Sequence, residues 1–214
     1  MIGDRFITGV ILAAGGSRRM GRPKQLLPLG RKPLLQHVID TASASCLDQL
    51  VLVLGHAADE VRAALALPVR PPARVVVNRE WEVGQSTSLR AGLHASDERA
   101  AAVAVLLGDQ PGVTGALIDQ VAARFLSAGA AAARPVWRDG RVPGHPVFLA
   151  RAIWPEVERL EGDQGARSLL SAHPDWLVEV PIAGEAPRDL DDWQDYERAG
   201  GSATERRPGT VAAG

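Results

Sequence analysis

Apolar residues along this chain fall into short unbroken runs that alternate with stretches where they recur every third or fourth position. Residues 10–14, Val-Ile-Leu-Ala-Ala, make the first run, and the lack of polar interruption predicts a strand covered on both faces. Gly15 and Gly16 end it, since glycine reaches backbone conformations closed to other residues. Over 34–42 the apolar spacing turns helical, behind a Pro33 suited to a first helical turn. A second buried run at 49–54 stops at Gly55, a helix is predicted over 59–67 up to Pro68, and a third strand over 74–78. The order is β-α-β-α-β.

The second half repeats the alternation and then departs from it. A Gly- and Ser-rich turn at 82–88 feeds a helix, with Ser86 or Thr87 as its expected N-cap. The run 101–107 leads straight into Gly108-Asp109-Gln110-Pro111, where glycine and proline forbid continuation, so Asp109 is expected at the carboxyl edge of a central strand. Thr114 is the expected cap of the next helix. From 130 onward two apolar stretches flank the polar turn 138–141, which predicts a hairpin or bulged excursion. Short helices follow at 152–160 and 165–172, then a strand at 176–182 and a terminal helix at 192–198. Such alternation predicts a largely parallel, right-handed α/β sandwich.

A chain of 214 residues suits one domain, expected over 1–200, with 201–214 as a polar, Gly-rich, flexible tail. Hydrophobic residues at 46% and charged residues at 23% exclude the disordered and membrane classes, and no apolar run nears the ~20 residues that span a bilayer. Met1-Ile-Gly-Asp-Arg lacks the features of a signal peptide and the single Cys46 has no partner for an internal disulfide, so a cytoplasmic protein is expected. Cys46 is read as a packed thiol on the helix after Pro33. His37, His56, His94 and His173 lack metal-ligand spacing, which argues against zinc.

A net charge of −1 argues against nucleic acid or an anionic membrane as partner, and aromatics at 4%, scattered singly, give no stacking platform. The distribution of charge says more. Between Arg5 and Gln36 there are seven basic residues and no acid, whereas 185–197 carries six acids and one arginine. The basic segment holds the loop Gly15-Gly-Ser-Arg-Arg-Met-Gly-Arg-Pro-Lys24, whose small residues expose N–H groups beside fixed positive charge, as a polyphosphate requires. It is not a Walker A loop, because Arg22-Pro23 follows Gly21 where Lys-Ser/Thr is required, and no G-x-G-x-x-G occurs. Taken alone, the loop has a second, less favoured reading as a tight turn with a solvated basic face. Asp109 suits Mg²⁺, which prefers one or two carboxylates plus phosphate and water. The acids at 189–192 suit either a second metal ligand or a helix N-cap.

Five ordered motifs carry a resemblance over about residues 8–198. They are Leu12-Ala-Ala-Gly-Gly-Ser-Arg-Arg-Met-Gly with Lys24-Gln-Leu-Leu, Gly84-Gln-Ser-x-Ser88, Gly108-Asp109-Gln-Pro, Gly144-His145-Pro146 and Asp189-x-Asp191. Together they resemble the MobA-like nucleotidyltransferases, and within them most the molybdenum cofactor cytidylyltransferases. The resemblance implies a Rossmann-like, three-layer α/β sandwich with a mostly parallel mixed sheet, Mg²⁺, and an NTP. It implies base and ribose contacts from Leu12, Ala13, Ala14 and Gly15, and phosphate contacts from Gly16, Ser17 and Arg18. Lys24 corresponds to the family's phosphate-binding lysine, with Arg18 and Asp109 as its catalytic companions. Gly84, Ser86 and Ser88 correspond to a second nucleotide-contacting segment. Asp109 and Asp191, with Asp189 second to Asp191, correspond to the metal ligands. Gly144, His145 and Pro146 correspond to the segment that faces the acceptor, although His145 reads equally as a hydrogen-bonded structural histidine, and Asp163-Gln-Gly-Ala-Arg167 would help close that side.

The reaction so implied moves a nucleoside monophosphate, CMP from CTP through the Ala13-Ala14-Gly15 resemblance, onto a phosphorylated acceptor such as molybdopterin, with release of pyrophosphate and a molybdoenzyme as receiver of the product. Guanylyl or other transfer to a different phosphate acceptor fits the same residues. So does a non-transferase role on this scaffold, as an accessory protein or an oxidoreductase.

Overall fold

The structure is a computed structural model that describes residues 5–138 and 141–206. Along the chain the elements are β1 (Ile7–Ala13), β2 (Pro28–Leu29), β3 (Lys32–Pro33), α1 (Leu34–Ser43), β4 (Gln49–Leu54), α2 (Ala58–Ala63), β5 (Ala73–Val77) and α3 (Gln85–Ala95). There follow β6 (Ala102–Leu107), α4 (Gly115–Ala128), β7 (Ala132–Trp137), β8 (Val142–Pro143), β9 (Val147–Ala150), α5 (Trp154–Glu158), α6 (Ala166–Ala172), β10 (Leu177–Pro181) and α7 (Trp193–Arg198). The main sheet runs β10-β7-β9-β6-β1-β4-β5, with β8 paired to β7. Among the described residues of this sheet, β9 and β8 run against the rest: β9 is antiparallel to both β6 and β7, and β8 to β7.

Side-chain alternation along the central strands builds the three layers. Ile7, Ile11, Leu50, Leu52, Leu54, Ala102, Ala104 and Leu106 face the side covered by α1 and α4, where Leu35, Val38, Ile118 and Val121 pack on them. Val10, Val51, Val53, Val103 and Val105 face the other side, under α3, α5 and α6 through Leu89, Leu93, Val157 and Leu169. The parallel register sets Val10 beside Val51 and Val105, so each layer of the core is continuous across three strands. No helix of the described residues is long and apolar enough to cross a membrane.

Three local expectations are revised. The helix predicted over 59–67 ends at Ala63, because the Gln36 side chain captures the backbone further on: its Oε1 accepts from Ala66 N–H and its Nε2 donates to Ala66 C=O, each at 2.9 Å. Neither Ser86 nor Thr87 caps α3; the N-cap is Gly84, at φ 138°, and Thr87 Oγ1 donates back to the Gly84 carbonyl at 2.8 Å. Cys46 lies in the turn beyond α1 rather than on it, half-buried against the core, where its N–H donates to Asp119 Oδ1 at 2.8 Å. The Thr114 cap forms, accepting from Leu117 N–H at 3.2 Å. Of the polar turn at 138–141, residues 139 and 140 lie outside the described residues, but β7 and β8 pair on either side of it. Residues 207–214 of the expected tail also lie outside them; before that point Gly201 sits against the Tyr196 ring and Glu205 accepts from Arg22 Nη1 at 2.9 Å.

Candidate functional site

The site is assembled at the carboxyl ends of β1 and β6, the edge where ligands settle in open α/β sheets. Past β1 the chain enters the Gly-rich loop, and its shape is held by a side chain that sequence analysis passed over. Gln25, buried in the turn at Lys24–Leu26, donates through Nε2 to the carbonyls of Ala13 at 2.9 Å and Gly15 at 3.0 Å. Ser17 holds the left-handed conformation at φ 49°, its carbonyl accepts from Met20 and Gly21, and its hydroxyl accepts from Lys24 N–H at 3.0 Å. Lys24 is thus pinned at its backbone to the loop that precedes it. Lys24 was marked in the sequence by its charge and its motif; the signal of Gln25 was a polar residue opening an otherwise apolar Gln-Leu-Leu run.

A cleft of about 410 Å³ opens over this loop. Of the residues expected to bind nucleotide, Leu12, Ala14, Gly15, Gly16, Gly84 and Ser88 line it, together with Arg18 and Asp109. Ala13, Ser17, Lys24 and Ser86 do not: Ala13 points into the core, Ser17 is spent on the turn, the Lys24 ammonium is drawn to Asp109 and Asp191, and Ser86 is fully buried with its hydroxyl unpartnered. Trp81 supplies an aromatic wall, edge-on to His56 at 5.5 Å, and a Cβ on Gly16 would come within 3.0 Å of its ring. Gly84 closes the far rim. Any Cβ there would lie 2.1 Å from the Gly162 backbone, so Gly84 meets both the positive φ and the close approach. Asp163, expected on the acceptor side, lines this first cleft instead, carried there by that contact. Ser88 Oγ also accepts from buried Asn78 at 3.0 Å, as does Thr87 Oγ1 at 2.8 Å, which fixes the first turn of α3.

Asp109 follows β6 as its spacing predicts, and the chain's acidic end is brought to it by two contacts. Leu190 N–H donates to the Asp109 carbonyl at 3.0 Å, and Gln110 Nε2 donates to Asp189 Oδ1 at 2.5 Å. Asp189 is therefore occupied by Gln110, and Asp192 caps α7 by accepting from Gln194 and Asp195 N–H. Asp191, between them, reaches the cluster: Lys24 Nζ lies 2.6 Å from Asp109 Oδ2 and 3.1 Å from Asp191 Oδ1, and Arg19 approaches Asp191 Oδ2 at 3.4 Å. Burial alone would lower the Lys24 pKa, but the Asp109 carboxylate, followed by Asp191, outweighs it and raises the pKa above its ordinary value. The ammonium stays charged.

Asp109 Oδ1 is buried and has no hydrogen-bond partner. Two carboxylates within reach of one point, one with an orphaned oxygen, form a donor set that fits a divalent cation completing its shell with phosphate and water. Among the described residues no group of three or more histidine, cysteine, aspartate or glutamate side chains is placed to hold a metal.

On the other side of this cluster lies a second cleft of about 480 Å³, with Gly144, His145, Gln110, Asp189 and Asp191 in its wall. Pro146, joined to His145 by a cis peptide, is buried behind it. Gly144 packs against Trp137, where a Cβ would come to 2.7 Å from the ring. Burial pushes the His145 imidazole down to about 4, against a smaller opposing pull from Asp109, so it is neutral at physiological pH.

Comparison with known proteins places this arrangement among relatives. The chain is 35% identical over 180 residues to nicotine blue oxidoreductase of Paenarthrobacter nicotinovorans, covering 81% of this chain and 85% of that protein. The crystal structure of a homologue of Mycobacterium tuberculosis Rv0371c from Mycobacterium sp. strain JC1 is similar at a TM-score of 0.79 and 36% identity, over 90% of this chain and 93% of that one. The structure of Rv0371c from M. tuberculosis H37Rv in complex with manganese is similar at a TM-score of 0.74 and 36% identity, over 91% and 97%. The family model of the MobA-like NTP transferase domain matches residues 9–176, and the chain belongs to that family.

Proposed function

We propose that the protein is a Mg²⁺-dependent nucleotidyltransferase that moves CMP from CTP onto the phosphate of a molybdopterin-type acceptor, with release of pyrophosphate. The observation that carries the reading is the placement of Lys24, Asp109 and Asp191 between two clefts, one lined by the Gly-rich loop and one by His145. In this reading Leu12, Ala14 and Gly15 lie along base and ribose, Gly16 and Arg18 hold phosphates, and Lys24 neutralises charge that grows on the bridging oxygen as pyrophosphate leaves. Asp109 and Asp191 would hold Mg²⁺, which when bound would supply further charge neutralisation. The acceptor phosphate, with a second pKa near ~6, is already a dianion at neutral pH, so in-line attack on the α-phosphorus needs no dedicated base. Neutral His145 then serves as a hydrogen-bond partner of the acceptor beside Gly144 and Pro146. The manganese complex of a 36% identical relative supports a divalent cation, and the Ala13-Ala14-Gly15 resemblance supports cytosine. Pyrophosphate release from CTP, GTP, UTP and ATP with Mg²⁺, without and then with molybdopterin, tests it: turnover with CTP that depends on the acceptor is expected, and none with any NTP rejects it.

The similarity to nicotine blue oxidoreductase favours a second reading, an oxidoreductase on the same scaffold. Thermal stabilisation by NADPH, with no response to any NTP, would select it, since a ligand of the native state stabilises by mass action.

A further inference from the structure

Lys24 Nζ holds two of the oxygens a cation would use, Asp109 Oδ2 at 2.6 Å and Asp191 Oδ1 at 3.1 Å, while Asp109 Oδ1 is left without a partner. An ion on this carboxylate pair, at the held oxygens or at the free one, would lie within a few ångströms of the ammonium, where the two charges repel. The backbone of Lys24 cannot yield, because its N–H is held by Ser17 Oγ at 3.0 Å in the turn that also anchors Gln25. What can move is the flexible four-carbon side chain. Beside it lies the first cleft with Arg18 and the Gly-rich loop, where polyphosphate is the anion able to draw the ammonium off.

The geometry points to an exchange: Lys24 is the internal counter-ion of the Asp109–Asp191 pair and gives way to a divalent cation only when nucleotide phosphates take up its ammonium. The cation alone binds weakly, and cation and nucleotide favour each other by the same factor, as linkage requires. Identifying the anion as a nucleotide rests on the transferase reading; the competition between lysine and cation does not.

Mn²⁺ alone, titrated into the metal-free full chain and followed by the electron paramagnetic resonance of the free ion, tests the competition. Lys24→Met is expected to bind Mn²⁺ at least about tenfold more tightly than the wild type, and adding Asp109→Asn should abolish the gain. Equal affinity of wild type and Lys24→Met overturns the proposal. Should that variant fail to fold, wild-type crystals soaked in Mn²⁺ with and without pyrophosphate decide instead. An ion on both carboxylates with Lys24 moved out of contact only where pyrophosphate is present supports the exchange; the same ion with Lys24 still hydrogen-bonded to Asp109, or with Lys24 displaced by Mn²⁺ alone, overturns it. A gain in Mn²⁺ affinity without turnover of any NTP removes the transferase reading and leaves the exchange standing. Turnover with unchanged Mn²⁺ affinity does the opposite.

Discussion

Lys24 and Asp109 answer to one assay, although on the proposed reading one meets phosphate and the other meets metal. Lys24→Ala and Asp109→Asn are each expected to cut pyrophosphate release by about 10²–10³ or more while the protein still unfolds cooperatively; near-normal turnover in both would remove them from the reaction. His145 carries a pH signature. Its folded pKa, about 4, lies below the ordinary 6.5, so between those values the unfolded chain binds a proton that the native state refuses. That contribution is complete above 6.5 and is lost as pH falls towards 4, about 1–3 kcal/mol in all. Urea unfolding near pH 7 and pH 4.5 should therefore show a smaller difference for His145→Gln than for the wild type. Cys46 is shielded differently: burial first, then the neighbouring Asp119 carboxylate, push its thiol up to about 12. Native protein at about pH 8 should resist iodoacetamide, while urea-unfolded protein is alkylated at the rate of a free thiol.

At the scale of elements, Gln36 shows how one polar side chain ends a helix. It is buried, it satisfies both backbone groups of Ala66, and it donates to Asp40 Oδ1 at 2.7 Å. Gln36→Leu releases the Ala66 N–H and carbonyl to water, for an expected loss of about 1 kcal/mol and a Tm lower by about 2–4 °C in calorimetry. The same residue explains what could be read from the chain. The runs 10–14, 49–54 and 101–107 were legible because unbroken apolar strands of a parallel sheet need no partner information to be recognised. The early end of α2 was not, since it depends on a residue far back in the chain. Ser86 and Thr87 look like caps in a linear reading, yet Gly84 takes that place because Gly162 presses against it. Asp109 could be placed by its strand. The reach of Asp191, the capping by Asp192 and the pairing of Asp189 with Gln110 could not be told apart by spacing, because all three are decided by contacts across the fold.

Over the whole molecule, the cationic start and the anionic end are folded onto one another. Arg19 and Lys24 meet Asp191, and Arg22 meets Glu205, while the intervening residues build the sheet beneath. The closing segment is fastened by Tyr196, fully buried, whose hydroxyl donates to the Pro28 carbonyl at 2.5 Å. Tyr196→Ala should cost about 3–5 kcal/mol in denaturant unfolding and should weaken Mn²⁺ binding with it, because Asp191 is delivered by the same segment. The reversed strand β9 has a consequence of its own. It divides the sheet into one block, β6-β1-β4-β5, that carries the Gly-rich loop, and another, β7, β8 and β10, that walls the His145 cleft. β9 pairs with β6 on one side and β7 on the other, so a single strand of opposite direction is the seam across which the Gly-rich loop and the His145 wall are held at a fixed distance.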